Sequence, residues 1–362
     1  MRAEADAAVK ALGWTDDYYV DADHIGIGNV DLFLESSNFF TLDVAESIEE
    51  LPDPVDLQRF IGRWERFGGA LSIPGVADSF NVTPELIETI GSKYLRAIKE
   101  AGNLYRYIEA AKGRDTFVTE VSMDETGQPQ TPLELLFILA GLAEEGVPAQ
   151  TIAPRFSGRF NKGVDYAGDV TQFTREFEDY LAVIQYAIRE FALPANLKLS
   201  VHSGSDKFAI YGPIRRAIKK YDTGIHLKTA GTTWLEEIIG LAEAGSDGLE
   251  IAREVYEKAL GRFEELCAPY AEVIDIHRDK LPLPEEVKCW DSAKFVAALR
   301  HDQSCPDFNT NFRQLLHVGY KVAAEMGERY HQALEEYSDI VGRCVEENIF
   351  QRHLTPLFLA RP

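Results

Sequence analysis

Runs of β-branched and aromatic residues, alternating with polar ones and bounded by turn formers, recur at 18–25, 38–44, 116–122, 150–155, 197–202, 223–228, 271–276 and 313–318. These eight stretches read as strands. Between them, apolar residues fall at helical spacing over 84–100, 132–145, 171–191, 213–220, 233–244, 250–267 and 319–337. Thr83 before Pro84 and Thr131 before Pro132 mark helix starts, because proline suits a first helical turn that follows a hydroxyl cap. Strand–helix alternation predicts a parallel sheet with right-handed crossovers, and eight such units predict an α/β protein of the (β/α)8 TIM-barrel class. The chain reads as a single TIM-barrel domain, 1–362. Residues 45–115 exceed one crossover and read as an α-helical insertion after the second strand, and 338–362 as a C-terminal helix and tail. Phe312-Arg-Gln-Leu-Leu-His317 fits both the strand and the helix period.

Charge narrows the function classes. With 37 basic and 59 acidic residues, net −22, the surface argues against nucleic acid and anionic membranes as partners. Any anionic substrate must therefore be held by local cations. Cys267, Cys289, Cys305 and Cys344 form neither a CxxC pair nor a dense framework, which predicts a reduced, cytoplasmic protein. The apolar stretch Leu133–Ala143 is too short to span a bilayer.

The carboxyl ends of barrel strands converge on one rim, so the chemistry-bearing strand ends can be collected directly. They supply Asp21, Asp23 and His24; Asp43; Glu120 and Asp124; Arg155; His202, Asp206 and Lys207; His226 and Lys228; and Asp275 and His277. His24, His202 and His226 could give neutral imidazole nitrogens to Zn²⁺, Mn²⁺ or a similar divalent cation while leaving positions open for substrate. A carboxylate, Glu120 or Asp23, is the alternative third ligand. Asp23 and Glu120 are also the candidate general base and acid, against a plainer reading as ion-pair partners of Arg155 or Lys207. Arg155 could clamp a substrate carboxylate with its planar fork, and Asp206, Lys207 and Lys228 complete the expected substrate-binding set. His301, His317, His331 and His353 lie in helices or tails and read as packing or surface residues. Gly26-Ile-Gly28-Asn-Val-Asp31 lacks the third glycine of a dinucleotide fingerprint, and Ser203-Gly-Ser-Asp-Lys207 is not a Walker loop.

Several long motifs resemble the tagaturonate epimerase family. They are Tyr19-Val-Asp-Ala-Asp-His24-Ile, the run from Ile152 to Asp169, Leu199-Ser-Val-His-Ser-Gly-Ser-Asp-Lys-Phe208, the run from His226 to Glu236, and Arg313-Gln-Leu-Leu-His-Val-Gly-Tyr-Lys-Val-Ala-Ala-Glu-Met-Gly327. The resemblance implies a metal-dependent TIM-barrel isomerase that interconverts the keto-uronates D-tagaturonate and D-fructuronate, which differ at C4. The C4 hydrogen is not α to the C2 ketone, which favours retro-aldol cleavage of C3–C4 with a base at the C4 hydroxyl and a Lewis acid at C2–C3. Schiff-base chemistry through Lys207 or Lys228 is the enzymatic alternative, and a non-catalytic sugar-acid-binding barrel is the alternative of another class. This chain reaches its first strand after fewer residues than the family pattern, which leaves the assembly of a homo-oligomer open.

Overall fold

The structure, a computed structural model, describes residues 2–359. It divides into two compact units: Met1–Ser157 with Gln172–Val201 and Ala217–His226, and Gly158–Thr171 with His202–Arg216 and Leu227–Pro362.

The first unit is built on a six-stranded sheet. Its strands are β1 (Asp21–Ile25), β2 (Phe39–Asp43), β5 (Val118–Met123), β6 (Thr151–Pro154), β7 (Lys198–Val201) and β8 (Ile225–Leu227), in that spatial order. Between β2 and β5 in sequence, β3 (Gly69–Ser72) and β4 (Ser79–Val82) form a separate antiparallel pair. The pairs β1/β2, β2/β5, β5/β6 and β6/β7 are parallel, as strand–helix alternation predicts.

The sheet is strongly curled. In a flat sheet, four strand spacings would separate β2 from β8 by about 19 Å. Yet the rings of Phe39 on β2 and His226 on β8 lie 5.0 Å apart, so the two strands face each other across a concave interior. The result is a half-barrel. Its helix-facing side is apolar: Phe40, Leu42, Val121, Ile152, Leu199 and Val201 are all buried. Each of the larger side chains among them contributes about 2–3 kcal/mol by leaving water. Helix Pro84–Lys112 packs against β2 and against helix Pro132–Glu144. The two predicted starts are real, since Thr83 accepts the Leu86 N–H and Thr131 forms a capping box with Glu134.

Four expectations change. Six strands, not eight, make the sheet among the described residues. Residues 313–318 belong to helix Thr310–Val318, whose buried Phe312, Leu315 and Leu316 follow the helical period and whose first turn is capped by the Asn309 side chain. Residues 271–276 form no strand: they begin in a turn, Val273 O accepts the Lys162 N–H (2.8 Å), Asp275 N–H donates to Gln314 Oε1 (2.9 Å), and Gln314 Nε2 donates to Asp275 O (3.0 Å). The 45–115 insertion holds helix Pro54–Trp64 and the β3–β4 hairpin as well as the long crossover helix, so it is not wholly α-helical.

The second unit is helical. Its core joins Leu235, Ile238 and Ile239 of helix Ala230–Ala244 to Val255, Phe295, Phe312 and Leu315. Helix Ser338–Glu346 and a π-helical segment, Glu347–Leu359, form the predicted C-terminal extension, whose last three residues lie outside the described residues. No helix among the described residues is long and apolar enough to cross a membrane.

Candidate active site

Strand alternation places a polar row inside the half-barrel. Because side chains two apart share a face, Phe39, Thr41 and Asp43 point one way from β2 while Phe40 and Leu42 point the other. Parallel register then sets Thr41 beside Glu120 and Glu120 beside Thr151. The interior is thus lined by Asp21, Thr41, Glu120, Thr151, Ser200 and His226, one residue from each of six strands.

Glu120 is the hub of this row and is wholly buried. Thr151 donates to its Oε2 at 2.6 Å, Thr41 lies 3.4 Å from its Oε1, and His226 Nδ1 lies 2.8 Å from Oε2. Thr41 Oγ1 is also 3.1 Å from Asp21 Oδ1, so its single proton chooses between two carboxylates. A buried carboxylate needs donors around it, and His226 serves as one when its proton is on Nδ1. The other ring nitrogen, Nε2, is left to act. Ser200 Oγ stands 3.1 Å from the same Nδ1. Sequence spacing gives Glu120 as an acid or base, an alternative metal ligand or an ion-pair partner; in the structure it is buried behind the His226 imidazole.

A second imidazole–carboxylate pair stands at the end of β1. The β1/β2 register slips between Ala22 and Ile25, and His24 takes φ 52°, a left-handed backbone that re-aims its ring. Its Nδ1 meets Asp43 Oδ2 at 3.0 Å, and its Nε2 lies 3.7 Å from Asp23 Oδ1. Burial raises the Asp43 carboxyl, but bonds from His24 and the Ala45 N–H outweigh that and hold it below the usual carboxylate range. Asp124, which accepts from Ser122 Oγ at 2.6 Å, offers a carboxylate oxygen within 4.8 Å of a His24 ring nitrogen. His226 does not join that group. An imidazole whose far nitrogen is held by a carboxylate, with a further carboxylate nearby, is a fitting pair of ligands for a divalent cation. Arg155 is anchored alongside: its N–H donates to Gln130 Oε1 (2.7 Å) and its guanidinium to Asp124 O (3.3 Å).

The remaining candidates lie in the second unit. His202 directly follows β7 and is buried, and Lys228 follows β8 and is half-buried. Asp206 and Lys207 are wholly buried. Lys207 Nζ donates to the carbonyls of Val164 (2.7 Å), Asn161 (2.9 Å) and Ser205 (3.0 Å), which engages all three of its protons. Burial lowers its pKa to about 8. Asp206 bonds the Arg313 guanidinium, whose Nη1 also donates to Leu299 O at 2.8 Å. Burial pushes the Asp206 carboxyl up, but Arg313, His301 and His353 together outweigh it and hold the group well below the usual range. Lys207 directs its protons to backbone carbonyls and Asp206 Oδ2 faces Arg313, while Asp206 Oδ1 is buried without a hydrogen-bond partner among the described residues.

Sequence reading passed over several members of these networks. Asp43 and Asp124 were collected as strand ends without a role, while Thr41, Thr151 and Ser200 were read only as parts of strands. The signal for the last three was available, since each is a polar residue at an interior position of an otherwise apolar strand. Glu236 is a further omission: it is buried, accepts from Asn348 Nδ2 at 2.8 Å, and burial pushes its pKa up to about 7.

Comparison with known proteins finds relatives along nearly the whole chain. The profile of the UxaE tagaturonate epimerase family matches residues 2–357. A tagaturonate/fructuronate epimerase from Thermotoga maritima is 29% identical over 361 residues, spanning 94% of this chain and 68% of that protein. Two crystal structures of fructuronate-tagaturonate epimerase from Cohnella laeviribosi, one with a single glycerol and one native, are each 25% identical. They cover 98% of this chain and 71% of theirs, with TM-scores of 0.76 and 0.77.

Proposed function

The chain belongs to the tagaturonate epimerase family, whose members are carbohydrate isomerases, and from that premise we propose that it interconverts D-tagaturonate and D-fructuronate by retro-aldol inversion at C4. The single observation that carries this reading is the His226 imidazole backed by a wholly buried Glu120 at 2.8 Å. That pair has the form of a general base with its orienting carboxylate.

His226 Nε2 would take the proton of the C4 hydroxyl. The C3–C4 bond then breaks, its electron pair moving toward the C2 carbonyl, to leave a three-carbon enediolate (C1–C3) and a three-carbon aldehyde (C4–C6). After the aldehyde turns its opposite face, C3 attacks C4 and the His226 imidazolium returns the proton to O4. Glu120 stays ionised throughout and stabilises that imidazolium. Arg155 would pair with the C6 carboxylate through its planar fork. Asp23, exposed on β1, is the second group available to carry a proton. His24 and Asp124 are the residues of the half-barrel that would bind a divalent cation, whose charge would stabilise the oxygen at C2, and the proposal keeps for His202 the ligand role expected from the sequence. In this assignment His226 moves from metal ligand to proton carrier, because its Nδ1 faces Glu120 and it lies outside the His24–Asp124 group.

Incubating the protein with D-fructuronate in Mn²⁺ or Zn²⁺ and following D-tagaturonate tests the activity. The same equilibrium mixture is expected from either sugar acid, with no solvent deuterium at C4 in D₂O. Unchanged substrate from both sides would instead favour a sugar-acid-binding protein, and deuterium at C4 would rule out carbon–carbon cleavage. Borohydride trapping of a lysine adduct would support a Schiff base at Lys228, the engaged ammonium of Lys207 being poorly placed for one.

A further inference from the structure

The turn that follows His202 is held in an unfavourable backbone shape. Ser203 (φ 47°) and Asp206 (φ 60°) both adopt the left-handed conformation, which non-glycine residues keep only when their surroundings impose it. Four contacts impose it here. Tyr211 Oη donates to Gly204 O at 2.7 Å, Lys207 Nζ to Ser205 O at 3.0 Å, and Arg313 to the Asp206 carboxylate. The fourth comes from the C-terminal segment: the Asp206 backbone N–H donates to His353 Nε2 at 3.0 Å.

That fourth contact fixes the state of His353. Its Nε2 accepts, so its proton sits on Nδ1, which donates to Asn348 O at 2.9 Å. The ring is buried and lies 5.5 Å, centre to centre, from each of Phe208 and Tyr211. Asn348 in turn donates to Glu236. A π-helical segment over Glu347–Leu359 thus delivers one buried nitrogen to one buried peptide N–H, four residues beyond His202. Lengthened helical turns of this kind are frequent at functional sites.

We propose that His353 is a positioning residue for the reaction: by accepting the Asp206 N–H it locks the 203–207 turn and so fixes where His202 stands. This rests on His202 serving the epimerase site as proposed above. His353→Leu removes the acceptor and keeps an apolar filler, whereas His353→Gln keeps an acceptor at similar reach.

In the leucine variant, backbone amide exchange at 203–207 is expected to quicken by at least about tenfold. Its kcat should fall about 10–100-fold, the range seen when a supporting partner is lost, with KM within about twofold. Mn²⁺ affinity, read by calorimetry on the unreacted protein, should weaken in the same variant. The glutamine variant should recover most of all three. Unchanged exchange at 203–207 in the leucine variant would overturn the lock. Quickened exchange with unchanged kcat and Mn²⁺ affinity would overturn the link to His202, and so would a glutamine variant no better than leucine. If wild type shows no epimerase activity, the functional reading fails separately, and exchange and Mn²⁺ affinity still decide whether His353 holds the turn and positions His202. Should the leucine variant not fold, His353→Asn, whose acceptor falls short of the Asp206 N–H, carries the same measurements.

Discussion

Glu120 in the half-barrel and Asp206 in the second unit are both wholly buried carboxylates, yet they use their charge in opposite ways. Asp206 faces a guanidinium that is itself fully buried, and Arg313 and the neighbouring Lys207 turn their remaining protons on backbone carbonyls. The charges there close on one another. The partners of Glu120 include the Thr41 and Thr151 hydroxyls and one nitrogen of a half-buried imidazole, whose second nitrogen has no hydrogen bond in this network among the described residues. Its charge is transmitted to a group that can still react. Abundance of ionisable residues therefore does not mark a site; an unfinished network does.

The largest expected effect lies on the closed side. Arg313→Met should cost about 3–5 kcal/mol of stability, since it strands a buried charge on Asp206. Urea unfolding measures it, and a loss under about 1 kcal/mol would mean that the pair is not the lock described. Adding Asp206→Asn should recover part of the loss. Asp206 also sets an acid limit: its folded pKa is depressed, so the stability it brings is present above the ordinary carboxylate range and lost as pH falls through and below it.

Glu236 should work in the opposite sense. Its folded pKa, raised from 4.5 to about 7 by burial, means that the folded state keeps a proton that the unfolded chain has lost. Stability from this group is complete below pH 4.5 and declines as pH rises to about 7, a drop of about 3 kcal/mol. Glu236→Gln cannot ionise and still accepts from Asn348. It should match wild type near pH 5 and exceed it by about that amount at pH 8, in urea midpoints taken at both. Parallel pH dependence in the two proteins would remove Glu236 from this account.

On the open side, Glu120→Gln should lower kcat about 10–100-fold while the fold persists. The amide oxygen can accept from His226, and the Thr41 hydroxyl can rotate to accept from the amide nitrogen. What disappears is the negative charge that fixes the imidazole proton and stabilises the imidazolium. An unchanged kcat would return Glu120 to a purely structural role.

How much of this could be read beforehand follows from which interactions are local. Six strands and both proline-led helix starts were legible, because alternation and capping are properties of neighbouring residues. Residues 313–318 and 271–276 were misread as strands. The first fits two periods, and in the second the Asp275 backbone is satisfied by the Gln314 side chain, which sequence spacing cannot bring to it. His24, His226 and Glu120 were found as strand-end residues, but their roles depend on curl. Only the curl of the sheet brings Glu120 on β5 to His226 on β8. Lys207 and Asp206 are ambiguous in sequence for a physical reason: a lysine and an aspartate in a small-residue loop can reach outward or inward, and Arg313, more than a hundred residues away, draws the Asp206 carboxylate inward.

The smallest expected effect separates Ser200 from Glu120, since both approach His226 Nδ1. The serine oxygen is 3.1 Å away and the carboxylate oxygen 2.8 Å, but one Nδ1 proton can serve only one of them well. A carboxylate acceptor gives the stronger, charge-assisted bond, so the proton points to Glu120 and the hydroxyl is a bystander to that choice. Ser200→Ala removes one oxygen from a buried position on β7 and leaves the Glu120–His226 pair intact. Its kcat should fall less than about tenfold, well short of Glu120→Gln, with an unshifted pH profile. If Ser200→Ala equals or exceeds Glu120→Gln, the hydroxyl and not the carboxylate orients the imidazole. The open network of the half-barrel would then end at β7 instead of β5, and the buried charge of Glu120 would be as closed as that of Asp206.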